Sequence, residues 1–238
     1  MLRRLAVCMV GFAALVACSA DANEAKIRQL LQGKFPTMKV ESVTKAPFAG
    51  LYEVVLDGEI VYTDEKVEYF FGGNIFDIRT LPPRNLTEDA NNRLVVHVLA
   101  GAQDMAIKRV KGNGNRTLYT FEDPNCGYCK QLNQELAKVD DVTIYTFLTP
   151  ILSQNSIDKS RAVWCAGDRA KAWEDLMLRA AIPESSSNCV APIERSIALM
   201  KRFGVRGTPA LFLANGRHIG GFIPADQIER ALNSATAK

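Results

Sequence analysis

The sequence predicts an α/β protein with two folded parts, a small α+β unit followed by a larger α/β unit. Residues 39–71 contain short β-branched or aromatic runs, and Asp57-Gly58 between two of these runs is a strong β-hairpin signal. After the turn cluster at residues 111–115, strand-like and helix-like segments alternate, which is typical of an α/β domain. The length of 238 residues fits one or two domains.

The N-terminus, residues 1–22, has the organisation of a secretory signal peptide. Arg3 and Arg4 supply a basic start, an uncharged apolar run follows over residues 5–17, and Ala20-Asp21-Ala22 offers a cleavage site with small residues. The apolar run is too short to cross a bilayer comfortably. Export to the periplasm is therefore predicted, and a short membrane anchor or a buried N-terminal helix is the alternative.

A second route of export is open at residues 15–18. Their sequence, Leu-Val-Ala-Cys, looks like a bacterial lipobox. In that alternative Cys18 becomes lipidated and forms the first residue of the mature chain. The acyl chains would tether the protein to a membrane without spanning it.

The first folded unit is predicted over residues 23–83, a helical linker over 84–112, and the α/β unit over 113–238. An amphipathic helix is expected at 23–35 in the first unit, before the short strands. In the linker, Thr87 has the residue type of a helix N-cap and is followed by two acidic residues.

Four cysteines remain once the predicted signal is removed: Cys126, Cys129, Cys165 and Cys189. Disulfides form and persist outside the cytosol, and four cysteines allow three pairings. The short spacing of Cys126 and Cys129 favours treating that pair as one unit, and Cys165 would then pair with Cys189. A second catalytic or resolving pair is the alternative for Cys165 and Cys189.

The sequence Cys126-Gly127-Tyr128-Cys129 follows a predicted strand and opens a predicted helix. The N-terminus of a helix presents free N–H groups and partial positive charge, and both favour a thiolate, which is the nucleophilic form of cysteine. Lys130 adds a nearby positive charge. Cys129 lies one turn into the helix and can close back on Cys126. The pattern predicts a redox site.

A zinc site is the main alternative, because a lone Cys-x-x-Cys pair is often half of one. A zinc ribbon needs a second closely spaced pair, whereas Cys165 and Cys189 have 23 residues between them. Only His97 and His218 could add imidazole ligands. We therefore expect neither a metal nor another cofactor.

Pro209, in the segment Gly207-Thr208-Pro209, opens a predicted strand about 80 residues after the cysteine pair. Proline has no N–H, and the backbone of the neighbouring Thr208 could pair with an incoming peptide as an added strand does. The simpler alternative is a proline at the first residue of a strand, which is a common position.

Taken together, these features resemble the DsbC/DsbG family of periplasmic disulfide isomerases, over essentially the whole mature chain. The Gly-Tyr pair between the cysteines is closer to DsbC, since DsbG usually carries Pro-Tyr. The Pro124-Asn125 pair before the first cysteine is a local departure that leaves the fine tuning of the redox potential open. The other matching residues are Trp164, Cys165, Cys189, Gly207, Thr208 and Pro209.

The resemblance implies a thioredoxin-like catalytic domain with a cis-proline loop, and a cystatin-like N-terminal domain that forms a homodimer with an apolar cleft. It also implies that Cys126 attacks substrate disulfides, that Cys129 resolves stalled complexes, and that a membrane reductase of the DsbD type keeps the site reduced. Cys165 and Cys189 would form a structural disulfide. The residues implied to support the active site are Gly127, Tyr128, Thr208 and Pro209.

The predicted activity is isomerisation of non-native disulfides in misfolded periplasmic proteins. One alternative is a DsbG-like reductase of sulfenylated or mixed-disulfide cysteines, and another is a non-catalytic chaperone. The formal net charge of +3, or +2 without the signal, is too small to indicate nucleic-acid binding.

Overall fold

The computed structural model describes residues 14–184 and 189–236, with side chains from residue 22 to 235 within those ranges. The chain divides into two compact units, residues 1–90 and 91–238. Most of the predicted signal peptide lies outside the described residues. In the part of the chain that is described, no helix has both the length and the apolar character needed to cross a membrane.

The first unit packs a helix on an antiparallel sheet with strand order β1-β2-β3-β4. Ile27 and Leu31 of the helix are fully buried against the sheet. Asp57 and Gly58 turn the β2–β3 hairpin with positive φ angles of 50° and 86°, which confirms the predicted hairpin. The elements are α1 Ala14–Lys34, β1 Val40–Lys45, β2 Tyr52–Leu56, β3 Glu59–Thr63 and β4 Phe70–Phe71.

Thr87 does not cap the next helix, so that prediction was wrong. The helix α2, Leu86–Ala100, begins one residue earlier, and the side chain of Asn85 accepts a hydrogen bond from the N–H of Glu88 at 3.1 Å. Thr87 is buried instead, and its hydroxyl accepts a hydrogen bond from the N–H of Ile75 at 3.0 Å. It thereby fastens the two short strands β5, Phe76–Asp77, and β6, Arg84–Asn85, to the start of α2.

The second unit is built on a mixed sheet with strand order β10-β8-β9-β7, in which only β8 and β9 run parallel. Val95, Val98 and Leu99 on the second half of α2 pack into its core. Its strands are β7 Ala106–Lys111, β8 Arg116–Glu122, β9 Val142–Leu148 and β10 Ala210–Leu213. Its helices after α2 are α3 Gly127–Leu136, α4 Gln154–Trp164, α5 Arg169–Arg179, α6 Ile193–Arg202 and α7 Ala225–Thr236.

The prediction of a helical linker over the whole of 84–112 was wrong, because only part of this segment is helical. It contains α2 and then β7, an edge strand of the second sheet. The strand β7 could not be predicted, because the burial of two of its side chains is the opposite of what their polarity suggests. The charged Arg109 is buried, while the apolar Val110 is 56% exposed. Alternation of apolar and polar residues therefore gives no signal for a strand there.

A disulfide joins Cys165, the C-cap of α4, to Cys189, with Cα atoms 5.7 Å apart. Both residues pack against the cluster that also contains Trp164 and Trp173. A cross-link restricts the unfolded chain, so it stabilises the folded state by an amount that grows with loop length.

Replacing both Cys165 and Cys189 with alanine is expected to lower the free energy of unfolding by about 3 kcal/mol, from the loop of 24 residues that the bond closes. Urea unfolding followed by tryptophan fluorescence measures this change. Wild-type protein treated with a reductant is the control and should unfold like the variant. A variant that unfolds at the same urea concentration as the untreated wild type would contradict the prediction.

Candidate active site

The active-site loop connects the end of β8 to the start of α3. Cys126 occupies the N-cap of α3 with an extended backbone, and its carbonyl oxygen accepts the first helical hydrogen bond from the N–H of Lys130 at 3.1 Å. The N–H of Cys126 donates to the carbonyl oxygen of Asp123, also at 3.1 Å. The sulfur of Cys126 therefore stands at the end of the helix that carries free N–H groups and partial positive charge.

Thr208 and Pro209, immediately before β10, lie opposite Cys126. The thiol of Cys126 donates a hydrogen bond to the carbonyl oxygen of Thr208 at 3.2 Å, and the Thr208–Pro209 peptide bond is cis. Antiparallel pairing of β10 with β8 aligns Ala210 with Phe121 and brings these distant segments together. The structure thus joins the two motifs that the sequence singled out separately.

Asp123 and Asn125 fix the loop that carries Cys126. The fully buried carboxylate of Asp123 accepts hydrogen bonds from the N–H groups of Asn125 at 2.7 Å and Leu152 at 2.9 Å. The side-chain oxygen of Asn125 accepts from the ammonium group of Lys159 at 2.7 Å. The Asn125 amide also donates to side chains at the start of α4, namely Ser153, Asn155 and Ser156. Within the Pro124-Asn125 departure, Asn125 therefore links the loop to the start of α4.

Cys129 lies in the first turn of α3 and is completely buried. Burial raises the pKa of the Cys129 thiol well above its usual value, and the negative charge of Glu122 acts in the same direction. The two cysteines belong to the same buried cluster but differ in position: Cys126 is 7% exposed, caps the helix and faces Thr208, whereas Cys129 has no exposed surface. Both are free thiols in this structure.

Glu122 is a buried acid beside the cysteine pair that sequence reasoning missed. Its carboxylate accepts hydrogen bonds from the hydroxyl of Thr120 at 2.8 Å and from the side-chain amide of Asn133 at 2.5 Å. Burial raises the pKa of Glu122, and the buried guanidinium of Arg109 opposes that shift. The last residue of a strand before a loop gives no sequence signal for burial, so Glu122 could not have been singled out.

Gly127 and Tyr128, between the cysteines, lie on the outer side of the helix start. A side chain at Gly127 would meet no atom within 4 Å, so packing does not require glycine there. Tyr128 is 63% exposed, with its ring centroid 6.3 Å from that of Phe222. Leu152, which is bonded to the buried Asp123, is 58% exposed. The surroundings of Cys126 therefore include exposed apolar side chains.

Among the described residues, no group of three histidine, cysteine or acidic side chains lies close enough together to bind a metal ion. His218 is exposed to solvent and stacks on Phe212 with ring centroids 4.6 Å apart. Desolvation of part of the ring lowers the pKa of His218.

A Cys-x-x-Cys pair at the start of a helix, opposite a proline loop on a mixed four-stranded sheet, defines a thioredoxin-like thiol–disulfide oxidoreductase. Residues 103–236 match the model of the thioredoxin-like domain, and residues 18–88 match the model of the disulfide bond isomerase protein N-terminal domain. The chain belongs to the DsbC family of thiol:disulfide interchange proteins. The predicted fold class and the family resemblance are confirmed.

Relatives of known name support this assignment over nearly the whole chain. The "Probable thiol:disulfide interchange protein DsbC" of Bordetella parapertussis is 42% identical over 90% of this chain and 74% of its own length. The thiol:disulfide interchange protein DsbC of Escherichia coli K12 is 28% identical over 90% and 89%. The crystal structure of a disulfide interchange protein from Neisseria gonorrhoeae is 39% identical, with a TM-score of 0.54 over 57% of this chain and 99% of that one.

Proposed function

We propose that this chain isomerises non-native disulfides in periplasmic proteins, with Cys126 as the attacking sulfur and Cys129 as the resolving sulfur. The observation that carries the proposal is the position of Cys126, which caps α3 and lies 3.2 Å from the carbonyl oxygen of Thr208. The relatives named as thiol:disulfide interchange proteins support the same chemistry.

The reaction exchanges bonds without a net change of oxidation state. The thiolate of Cys126 attacks one sulfur of a substrate disulfide, forms a mixed disulfide and releases the other substrate sulfur as a thiolate. A substrate thiolate then attacks a different substrate sulfur, and the native pairing forms when the last attack expels Cys126 as a thiolate. The number of disulfides is the same at the start and at the end.

A stalled mixed disulfide between Cys126 and the substrate can also be resolved by Cys129. The Cys129 thiol loses its proton and its sulfur attacks that of Cys126, which closes the Cys126–Cys129 disulfide and releases the substrate as a thiolate. The substrate leaves reduced and the enzyme oxidised. A membrane reductase of the DsbD type would then return both cysteines to thiols.

The substrate would lie along the loop of Thr208 and Pro209 as an added strand. Pro209 lacks an N–H, so this loop interacts with a peptide through the backbone of Thr208. The exposed side chains of Tyr128 and Leu152 offer apolar contacts next to Cys126. These features fit an unfolded chain with exposed apolar residues better than one particular folded partner.

The first unit would form the homodimer. Its strand β4 is at the edge of the sheet, and an exposed edge is open to pairing with another chain. Phe76, Ile78 and Leu81 are 53%, 78% and 93% exposed, which is unusual for side chains of this size on one short segment. Two copies joined through these surfaces of the first unit would present two active sites to one misfolded protein.

The predicted signal peptide, with the alternative of lipidation at Cys18, would deliver the chain to the periplasm. Disulfides persist in that compartment, and an isomerase is useful only where they do.

Incubation of the reduced protein with scrambled ribonuclease A tests the proposal. We expect ribonuclease activity to return while the number of thiols on the ribonuclease stays constant. A reductase would raise the number of substrate thiols without restoring activity. A chaperone without redox activity would leave the disulfide pattern scrambled, and either result would contradict the proposal.

A further inference from the structure

We propose that Glu122 is a positioning residue that prolongs the covalent complex between Cys126 and its substrate, because its negative charge keeps Cys129 in the thiol form. This inference rests on the proposed function, in which Cys129 provides the exit that releases the substrate reduced. A longer-lived complex gives substrate thiols more time to rearrange, so Glu122 would favour isomerisation over reduction.

The carboxylate belongs to a closed hydrogen-bonded ring under α3. One guanidinium nitrogen of Arg109 donates to the side-chain oxygen of Asn133 at 3.0 Å, and the amide of Asn133 donates to Glu122 at 2.5 Å. The other guanidinium nitrogen donates to the hydroxyl of Thr146 at 3.2 Å. The Thr146 hydroxyl lies 3.0 Å from that of Thr120, which donates to Glu122 at 2.8 Å.

The amide donor of Asn133 suits an ionised carboxylate at Glu122. Each carboxylate oxygen of Glu122 accepts a hydrogen bond, and an ionised carboxylate has acceptors only. The Thr120 hydroxyl lies within hydrogen-bonding distance of both Glu122 and Thr146, and its single hydrogen can serve only one of them. The path through Asn133 has fixed donors and runs from the cation Arg109 to the carboxylate of Glu122.

Burial makes this charge pair necessary. Arg109 is buried and stays protonated in proteins, and a buried cation without a counter-charge is strongly destabilising. Glu174 on α5 lies 4.0 Å from Arg109, but its side chain is 45% exposed and water screens its charge. Glu122, which is fully buried, is therefore the main counter-charge of Arg109.

Asn133 places the same ring beside the second cysteine. Its side-chain amide also donates to the carbonyl oxygen of Cys129 at 2.9 Å, one turn earlier in α3. Glu122 and a Cys129 thiolate would thus be two negative charges in one apolar core, which disfavours removal of the Cys129 proton. The other ionisable groups around this site are Arg109 on β7, Glu174 on α5, and Cys126 and Asp123 in the active-site loop.

Both oxygens of the Glu122 carboxylate already accept hydrogen bonds inside the ring. This geometry favours a role in which Glu122 acts through its negative charge, and it disfavours a role in which Glu122 accepts the proton of Cys129. The two roles predict opposite results. If Glu122 accepted the proton, removing its charge would slow the attack of Cys129 on the mixed disulfide. If Glu122 acts by its charge, removing that charge speeds the attack.

The test uses full-length protein, glutathione disulfide as the probe and the variant Glu122→Gln, which keeps the shape and removes the charge. Rapid mixing, acid quenching and mass spectrometry give the lifetime of the Cys126–glutathione complex from pH 6 to 9. We expect a lifetime shortened about 3-fold for each unit by which the pKa of Cys129 falls, and a pH profile moved to lower pH. The matched control Glu174→Gln, which also faces Arg109, should keep the wild-type lifetime and profile.

An unchanged or lengthened lifetime in Glu122→Gln would overturn the inference. If that variant does not fold, infrared spectroscopy of the folded, reduced wild type at pH 7 decides instead, since a band from a buried protonated carboxyl would contradict the ionised ring. Absence of any wild-type complex with glutathione would count against the proposed function itself, so the two failures are distinguishable.

Discussion

Replacing Cys126 with alanine is expected to reduce the reactivation of scrambled ribonuclease A to the rate without added protein. In the proposed mechanism no other described cysteine can attack a substrate disulfide: Cys129 has no exposed surface and burial raises its pKa, while Cys165 and Cys189 are joined to each other. The assay is recovery of ribonuclease activity over time with equal amounts of wild type and variant. Retention of activity in Cys126→Ala would contradict the mechanism.

The matched variant for this prediction is Cys129→Ala. It keeps the attacking sulfur and removes only the exit for stalled complexes, so part of the activity should remain. Covalent complexes between the variant and ribonuclease should accumulate and be visible on a non-reducing gel. Equal loss of activity in both variants would show that the two cysteines do not have the separate roles proposed for them.

Introducing charge on the exposed apolar segment of the first unit, with Phe76→Glu and Ile78→Glu together, is expected to convert a homodimer into a monomer. Both side chains are largely exposed, so their replacement costs the folded unit little, whereas burying two carboxylates in an interface is costly. Light scattering after size exclusion should give half the mass of the wild type.

The same variant should lose isomerisation of scrambled ribonuclease A by about 10-fold or more, because two joined active sites hold a client more effectively than one. Reduction of glutathione disulfide should be unchanged, since that reaction needs only Cys126 and Cys129 of one chain. Val190→Glu, at a site that is 92% exposed in the second unit, is the control and should behave as wild type in all three measurements. A wild type of monomeric mass would contradict the dimer.

Local signals in the sequence were sufficient to predict the elements that carry the cysteine pair. A predicted strand, a loop and a helix that opens at Cys126 correspond to β8, the active-site loop and α3. The hairpin at Asp57-Gly58 was equally predictable, because few residues other than asparagine, aspartate and glycine adopt the positive φ angles of such a turn.

The partners of that pair could not be predicted from local signals. The position of Thr208 opposite Cys126 depends on the pairing of β10 with β8, and only the family resemblance indicated it. Arg109 and Glu122 are charged residues in buried positions of strands, where sequence patterns predict exposure. The two are linked through side chains on three different elements, and spacing along the chain does not reveal such a ring.

The central claim is that the two sulfurs have different roles, with Cys126, which caps α3 and keeps 7% of its surface exposed, as the attacking group. Brief treatment of the reduced protein with iodoacetamide at pH 7, followed by peptide mass spectrometry, tests it most directly. The account predicts that Cys126 is alkylated first and that Cys129 remains a thiol in the folded protein. Modification of Cys129 before Cys126, or of both at the same rate, would contradict it.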